Sequence, residues 1–138
     1  MKSRLAHASK QRTLATVFAL VFFLLPTICL ASKLQTMPFN KPGPGKLDCA
    51  VTVMFSSFAS GIDEVAFGKV EGFVETNPAI SSAQLYPWGM EGEKTLCLAV
   101  SADQSAAVFD GIKNIISKTA IGAATLTNGD KTYSTNSR

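Results

Sequence analysis

With 138 residues, of which 46% are hydrophobic, the chain is long enough for one small domain with an apolar core. Its formal net charge is +3, but four of the 13 basic residues precede Ser32, and the nine that follow face ten acidic residues. From Ser32 onward the net charge is therefore −1. This balance gives no electrostatic support for binding nucleic acid or an anionic membrane surface.

The first 31 residues have the pattern of a secretory signal peptide. The four basic residues are followed by the apolar run Leu14–Leu25, in which only Thr16 is polar. Two small residues, Cys29 and Ala31, then occupy the −3 and −1 positions relative to Ser32, as a cleavage site requires. The pattern predicts cleavage after Ala31 and export to the periplasm or the extracellular space, with no stable membrane anchor left on the mature protein.

Two alternatives to cleavage remain open. An uncleaved anchor helix would have only the 18 residues from Leu14 to Ala31, interrupted by Pro26, to cross a bilayer. Lipid attachment at Cys29 would place Ile28 where lipoprotein signals carry a small residue. Both alternatives are disfavoured relative to a cleaved signal.

Composition divides the rest of the chain into three parts. Residues 32–46 contain interspersed Pro and Gly without apolar periodicity, which predicts a flexible leader. Residues 47–127 carry strand-like and helix-like patterns and form the predicted domain. Residues 128–138 are polar and are predicted to be a frayed tail.

Four runs in the domain have strand character. Leu47–Phe55 alternates large apolar residues with small or polar ones and predicts the first strand. The run 79–88 is serine-rich and contains Pro87, so it is predicted to be an edge strand. A turn at 89–93 joins it to the strand 95–100, and 123–127 is a possible fourth strand.

Two helices separate these strands. In the first, apolar residues recur at helical spacing between a predicted N-cap at Ser60 and a predicted end before Pro78. Gly68 and Gly72 lie on one face of this helix, which indicates either a close backbone approach or mere tolerance of glycine. The second helix follows Ser101 and has one apolar side.

The order βαββα, with a possible last β, predicts an α+β fold. Short and right-handed connections favour a two-layer sandwich, with an antiparallel sheet and both helices on one face. This is the split-βαβ, or ferredoxin-like, arrangement. It places the first and third predicted strands side by side in the centre of the sheet.

Cys49 and Cys97 are the two cysteines that remain after signal removal. An oxidising compartment favours a disulfide between them. The strand pattern opposes it, because Cys49 is in phase with the apolar face of its strand and Cys97 with the opposite face. A bulge, or a start of regular pairing after Cys49, would remove the conflict; two buried free thiols are the alternative.

The mature chain lacks the side chains of common catalytic sites. His7 is the only histidine, so Ser-His pairs, Cys-His pairs and histidine metal sites are missing after Ser32. Cys-x-x-Cys and glycine-rich phosphate-binding motifs are also absent. We therefore predict no catalysis, metal or cofactor, and an enzyme using carboxylates such as Asp48, Asp63 or Glu64 ranks third among the hypotheses.

Two surfaces are candidates for partner binding. One is the sheet face not covered by helices, where Ala50, Thr52 and Met54 are semi-apolar and poorly suited to full exposure. We predict that an unidentified protein partner or a second copy docks there; shielding by the leader is the alternative.

The other candidate is the loop that contains Tyr86, Trp88 and Met90, whose composition is common in binding surfaces. The alternative for Trp88 is that it covers an edge of the core. The sequence thus favours a small exported protein that acts by protein–protein binding. The second hypothesis is a carrier that binds a small ligand or a soft metal through the Trp88 loop or the sulfurs of Met54 and Met90.

Overall fold

The computed structural model describes residues 32–38 and 48–136. The predicted signal peptide, Leu47 and most of the predicted leader lie outside these residues. The described part contains six strands and two helices: β1 (Leu34–Thr36), β2 (Val51–Ser56), α1 (Glu64–Thr76), β3 (Ile80–Pro87), β4 (Lys94–Val100), α2 (Ser105–Ile116), β5 (Ala123–Asn128) and β6 (Lys131–Asn136). Neither helix within these ranges has the length and apolar content needed to cross a membrane.

The six strands form one sheet in the order β1-β3-β4-β2-β5-β6. β2 pairs with β4 and β5, antiparallel to both, so the predicted pairing of the first and third strand-like runs is confirmed. β3 and β4 form the predicted antiparallel hairpin. The α+β class with two helices is therefore correct.

The prediction of an antiparallel sheet is wrong, because β1 runs parallel to β3 and makes the sheet mixed. β1 lies in the segment predicted to be a flexible leader. Three residues show no periodicity in the sequence, and the strand is held by backbone bonds from Ala83 N to Lys33 O and from Met37 N to Leu85 O. Its presence also means that β3 is not the edge strand that its serines and proline suggested.

At the other side of the sheet, β5 forms the possible last strand predicted at 123–127, and it makes a hairpin with β6, which lies within the predicted polar tail. The connecting residues include Gly129, whose φ of 55° suits a tight turn. In β6 only Tyr133 is large and apolar. It is opposite Leu126 and packs against the core, whereas its neighbours are polar. A single anchoring residue is too weak a pattern to predict a strand.

The hydrophobic core lies between the sheet and both helices, which cover the same face. Val51, Val53 and Phe55 of β2 are almost completely buried, as the alternation predicted. The helices contribute four buried residues each: Ala66, Phe67, Val70 and Val74 from α1, and Val108, Phe109, Ile112 and Ile116 from α2. Burial of each larger apolar side chain contributes about 1.5–3 kcal/mol.

The first helix differs from its prediction in two details. Its N-cap is Asp63 and not Ser60, because the Asp63 carboxylate accepts a bond from Ala66 N at 2.9 Å. A left-handed φ of 80° at Gly61 turns the chain before this cap. Added Cβ atoms at Gly68 and Gly72 would meet nothing within 4 Å, so neither glycine serves a close backbone approach.

Candidate functional site

The face of the sheet opposite the helices, here called the open face, carries no Asp, Glu, Lys or Arg in the strands described. Its side chains alternate along each strand with those of the core. They are mostly hydroxyl, amide or small side chains: Gln35, Thr52, Met54, Ser82, Gln84, Tyr86, Thr95, Cys97, Ala99, Thr125, Thr127, Thr132 and Ser134.

Strand register brings several of the predicted binding residues together. Met54 is opposite Thr95, and Thr95 is in turn opposite Tyr86. Thr52 occupies the next row, opposite Cys97. Side chains directly opposite each other have Cβ atoms about 4.5–5.5 Å apart, so these residues share one continuous patch.

Trp88 joins this patch from the loop that follows β3. Its indole Nε1 donates to Thr95 Oγ1 at 2.9 Å, and its backbone N donates to Glu93 O at 2.9 Å. Thr95 belongs to the open face yet is only 4% exposed. The indole therefore lies over the open face and not over the helix side of the core, which makes the two predicted binding surfaces contiguous. Tyr86 Oη donates to Gln84 Oε1 at 2.7 Å.

The remaining predicted residues have different positions. Met90 is in the turn between β3 and β4 and is 85% exposed. Ala50 forms a bend just before β2 and lines a shallow groove of about 580 Å³ at one end of the open face. Polar side chains form much of the rest of this groove: Asp48, Ser81, Ser82, Gln84 and Ser101.

The cysteine pair also lines this groove. Cys49 and Cys97 are at disulfide-bonding distance, with Cα atoms 5.4 Å apart. The sequence pattern had placed the two cysteines on opposite faces of the sheet. This conflict does not arise, because β2 begins at Val51 and Cys49 precedes the regular alternation that would place it on the core side. Of the two solutions that the sequence left open, a late start of pairing is the one observed.

A second candidate binding surface, which the sequence did not predict, is formed by exposed apolar residues. The large hydrophobic residues that are exposed in the described part of the chain are Phe58, Val65, Met90 and Ile121, at 45–85% exposure. They lie where β2, β3 and α2 end and α1, β4 and β5 begin, so they share one end of the molecule. We call this surface the loop end. Phe58 stands in a serine-rich break, and this isolated aromatic was the only available signal.

Contacts between loops give the loop end a defined shape. Ser57 Oγ on the loop before α1 donates to the Glu91 carboxylate in the β3–β4 turn. Lys94 Nζ lies 2.9 Å from Glu64 Oε2 and 4.2 Å from the centre of the Phe67 ring. The loop before α1 therefore contacts the β3–β4 turn, and β4 contacts the first turn of α1, which carries Val65.

The acidic residues considered for catalysis are not brought together. The Asp63 carboxylate accepts hydrogen bonds from backbone N–H groups, and the Glu64 carboxylate forms an ion pair with Lys94. Asp48 lines the groove at the opposite end of the sheet from these two. Across residues 32–38 and 48–136, His, Cys, Asp and Glu form no group of three or more that could hold a metal ion.

No protein-family model matches this chain, and no curated protein or solved structure is significantly similar to it. Function is therefore inferred from the chemistry of the surfaces described above.

Proposed function

We propose that this chain is a small exported protein that acts by binding another protein through the open face, without catalysis. The observation that carries the proposal is the composition of that face: its strands carry no charged side chain, and Met54, Tyr86 and Trp88 lie together on it beside the β3–β4 turn. The centres of protein interfaces are depleted in charged residues and enriched in Tyr, Trp and Met.

The fixed position of Trp88 supports this proposal. An indole held by its bond to Thr95 is already ordered before a partner arrives. A preordered aromatic side chain loses little rotamer entropy on binding, and Trp is prominent among the residues that dominate interface energies. The partner surface that fits is itself apolar or uncharged at its centre, since a charged group would lose water there without gaining an opposite charge.

Export is the proposed setting of this interaction. The signal-like N-terminus supports it, and the Cys49–Cys97 distance is compatible with an oxidising compartment. For the fold, we propose that β3-β4-β2-β5 with α1 and α2 form a ferredoxin-like split-βαβ unit, to which β1 and β6 add edge strands. The order and antiparallel pairing of those four strands support this assignment.

A photo-crosslinking side chain placed at Thr52 in the exporting cell tests the open face. We expect a crosslinked partner, or a second copy of the chain, that is not captured from Asn114, an exposed position on α2. Thr52→Glu and Met54→Glu should each weaken binding of the purified partner at least tenfold, since each puts a charge into a desolvated interface. Asn114→Glu adds the same charge on the helix side and should leave binding unchanged.

Sedimentation distinguishes self-association of the chain from binding of a different protein. Thermal unfolding checks that each variant remains folded. Partner binding that survives both open-face substitutions would contradict the proposal. If Phe58→Ser abolishes binding instead, the interface is the loop end.

A small-ligand or soft-metal carrier is the second candidate function. It is favoured by the groove of about 580 Å³ beside the cysteine pair and by the position of Trp88 on the same face. Titration with Cu(I) and with neutral metabolites, followed by Trp88 fluorescence, discriminates the two functions. An unchanged signal throughout these titrations would exclude a carrier that binds at the Trp88 loop.

A further inference from the structure

The carboxylate of Glu75, in the last turn of α1, is occupied entirely by the N-terminal segment. Its Oε2 accepts from Lys33 N at 3.1 Å. Its Oε1 accepts from Leu34 N at 3.1 Å and from Ser32 Oγ. These bonds, chiefly the one from the Ser32 hydroxyl, hold the pKa of Glu75 below its usual value.

The same segment makes a second contact with the end of α1. Lys33 Nζ donates to the carbonyl of Asn77, the C-cap residue, at 2.8 Å. A cation at the C-terminus of a helix is favoured by the helix dipole. Together, Glu75 and Asn77 O form a polar site that receives the residues preceding β1.

Ser32 is also the residue at which the predicted mature chain begins. The backbone nitrogen of a serine lies about 3–4 Å from its own Oγ. Because Ser32 Oγ is bonded to Glu75, the nitrogen of Ser32 lies within about 6 Å of the carboxylate, a range in which opposite charges interact. In the precursor this nitrogen is a neutral amide, and after cleavage it is an ammonium group.

We propose that Glu75 is the binding site for the free α-ammonium group that cleavage after Ala31 creates on Ser32. This inference rests on the proposed export. The new charge strengthens the docking of β1 onto β3. Since β1 pairs with residues 83–85 of β3, signal removal protects this part of the β3 edge against pairing with other chains.

The test uses the full chain, expressed with its own signal and recovered after export. Intact mass identifies the first residue, and the pH dependence of acylation gives the pKa of its α-amino group. With Ser32 first, we expect this pKa to exceed the ordinary value of about 7.7–8.0 by about 0.5–1 unit. Glu75→Gln should restore the ordinary value, whereas Glu71→Gln, one turn earlier on α1, should leave it raised.

A Gly-Ser insertion between Ala31 and Ser32 moves the ammonium group away from Glu75 and supplies a second measurement. The loss of unfolding free energy caused by Glu75→Gln should be smaller in the inserted protein than in the protein that begins with Ser32. Equal losses, or an ordinary α-amino pKa with Ser32 first, would overturn the proposal. A first residue other than Ser32 would also overturn it, and because that result is read from the mass alone, it is distinct from a failure of partner binding.

Discussion

The side chain of Asp63 connects the start of α1 to the loop before β5. Its Oδ1 accepts from Ala66 N at 2.9 Å and caps α1, and its Oδ2 accepts from Ala120 N at 2.7 Å in the loop before β5. The side chain is only 8% exposed. The hydrogen bond from Ala120 N has the largest effect and lowers the pKa of this carboxyl, and the bonds from Ala66 and Val65 lower it further. Burial raises the pKa, but the hydrogen bonds outweigh it and keep the pKa below its usual value.

The lowered pKa of Asp63 predicts a stability that depends on pH. A carboxyl with a lower pKa in the folded state contributes fully above its unfolded pKa of about 3.9, and the contribution is lost as pH falls through the folded pKa. Asn remains a good N-cap but cannot accept from Ala120 N through its NH2 group, so Asp63→Asn should cost about 1–2 kcal/mol at pH 7. Urea unfolding should show this difference narrowing below about pH 4. Asp110→Asn, at an exposed site on α2, is the control, and a difference that stays constant with pH would contradict the expectation.

At the level of elements, the two helices use glycine differently. Gly68 and Gly72 in α1 have open space where a Cβ would be. In α2, a Cβ on Gly111 would lie 2.6 Å from Cζ of Phe73, so the absent side chain makes room for an aromatic ring of α1. Only Gly111 is therefore required by helix packing.

This difference predicts opposite effects of the same substitution. Gly68→Ala and Gly72→Ala should each raise the free energy of unfolding by about 0.5–1 kcal/mol, because alanine restricts the unfolded chain and favours helix. Gly111→Ala should lower it, since the Phe73 ring must move. Urea unfolding of the three variants provides the measurement, and equal stabilisation by all three would show that the helices do not pack as described.

On the scale of the whole molecule, the cysteine pair encloses β2, α1 and β3. The sequence separation of the two cysteines is 48 residues. In the chain-entropy model, a loop of that size gives a disulfide a stabilising effect of about 4 kcal/mol, often less in practice. The bond would hold the chain before β2 against β4, next to the open face.

We therefore expect a reductant to lower the free energy of unfolding by up to about 4 kcal/mol. Intact mass should show the loss of two hydrogens in the untreated protein, and urea unfolding with and without the reductant gives the energy. In a Cys49→Ser, Cys97→Ser variant the reductant should have no effect. An oxidised protein with the stability of the reduced one would show that the loop closure contributes nothing.

The sequence predicted the centre of this fold better than its edges. The alternation in β2 predicted its buried residues, and the pairing of β2 with β4 followed from short, right-handed connections. β1 and β6 were missed because Leu34 and Tyr133 are single anchors in otherwise polar segments, which local patterns do not distinguish from loops. Composition predicted Tyr86 and Trp88 as candidate binding residues, but their position on the face that carries Thr52 and Met54 was not predicted.

The sequence by itself determined the two helices and the central strands, because burial on one face leaves a period of about 3.6 or 2 residues in the local pattern. The pairing of those strands followed from the short, right-handed connections. Only the tertiary structure decided the contact between Asp63 and Ala120, the position of Trp88 on the open face and the binding of the N-terminal segment by Glu75. The contacts of Asp63 with Ala120 and of Glu75 with Ser32 span 57 and 43 residues. Polar contacts between such distant residues leave no periodic signal, since each depends on where the assembled sheet and helices place two single side chains.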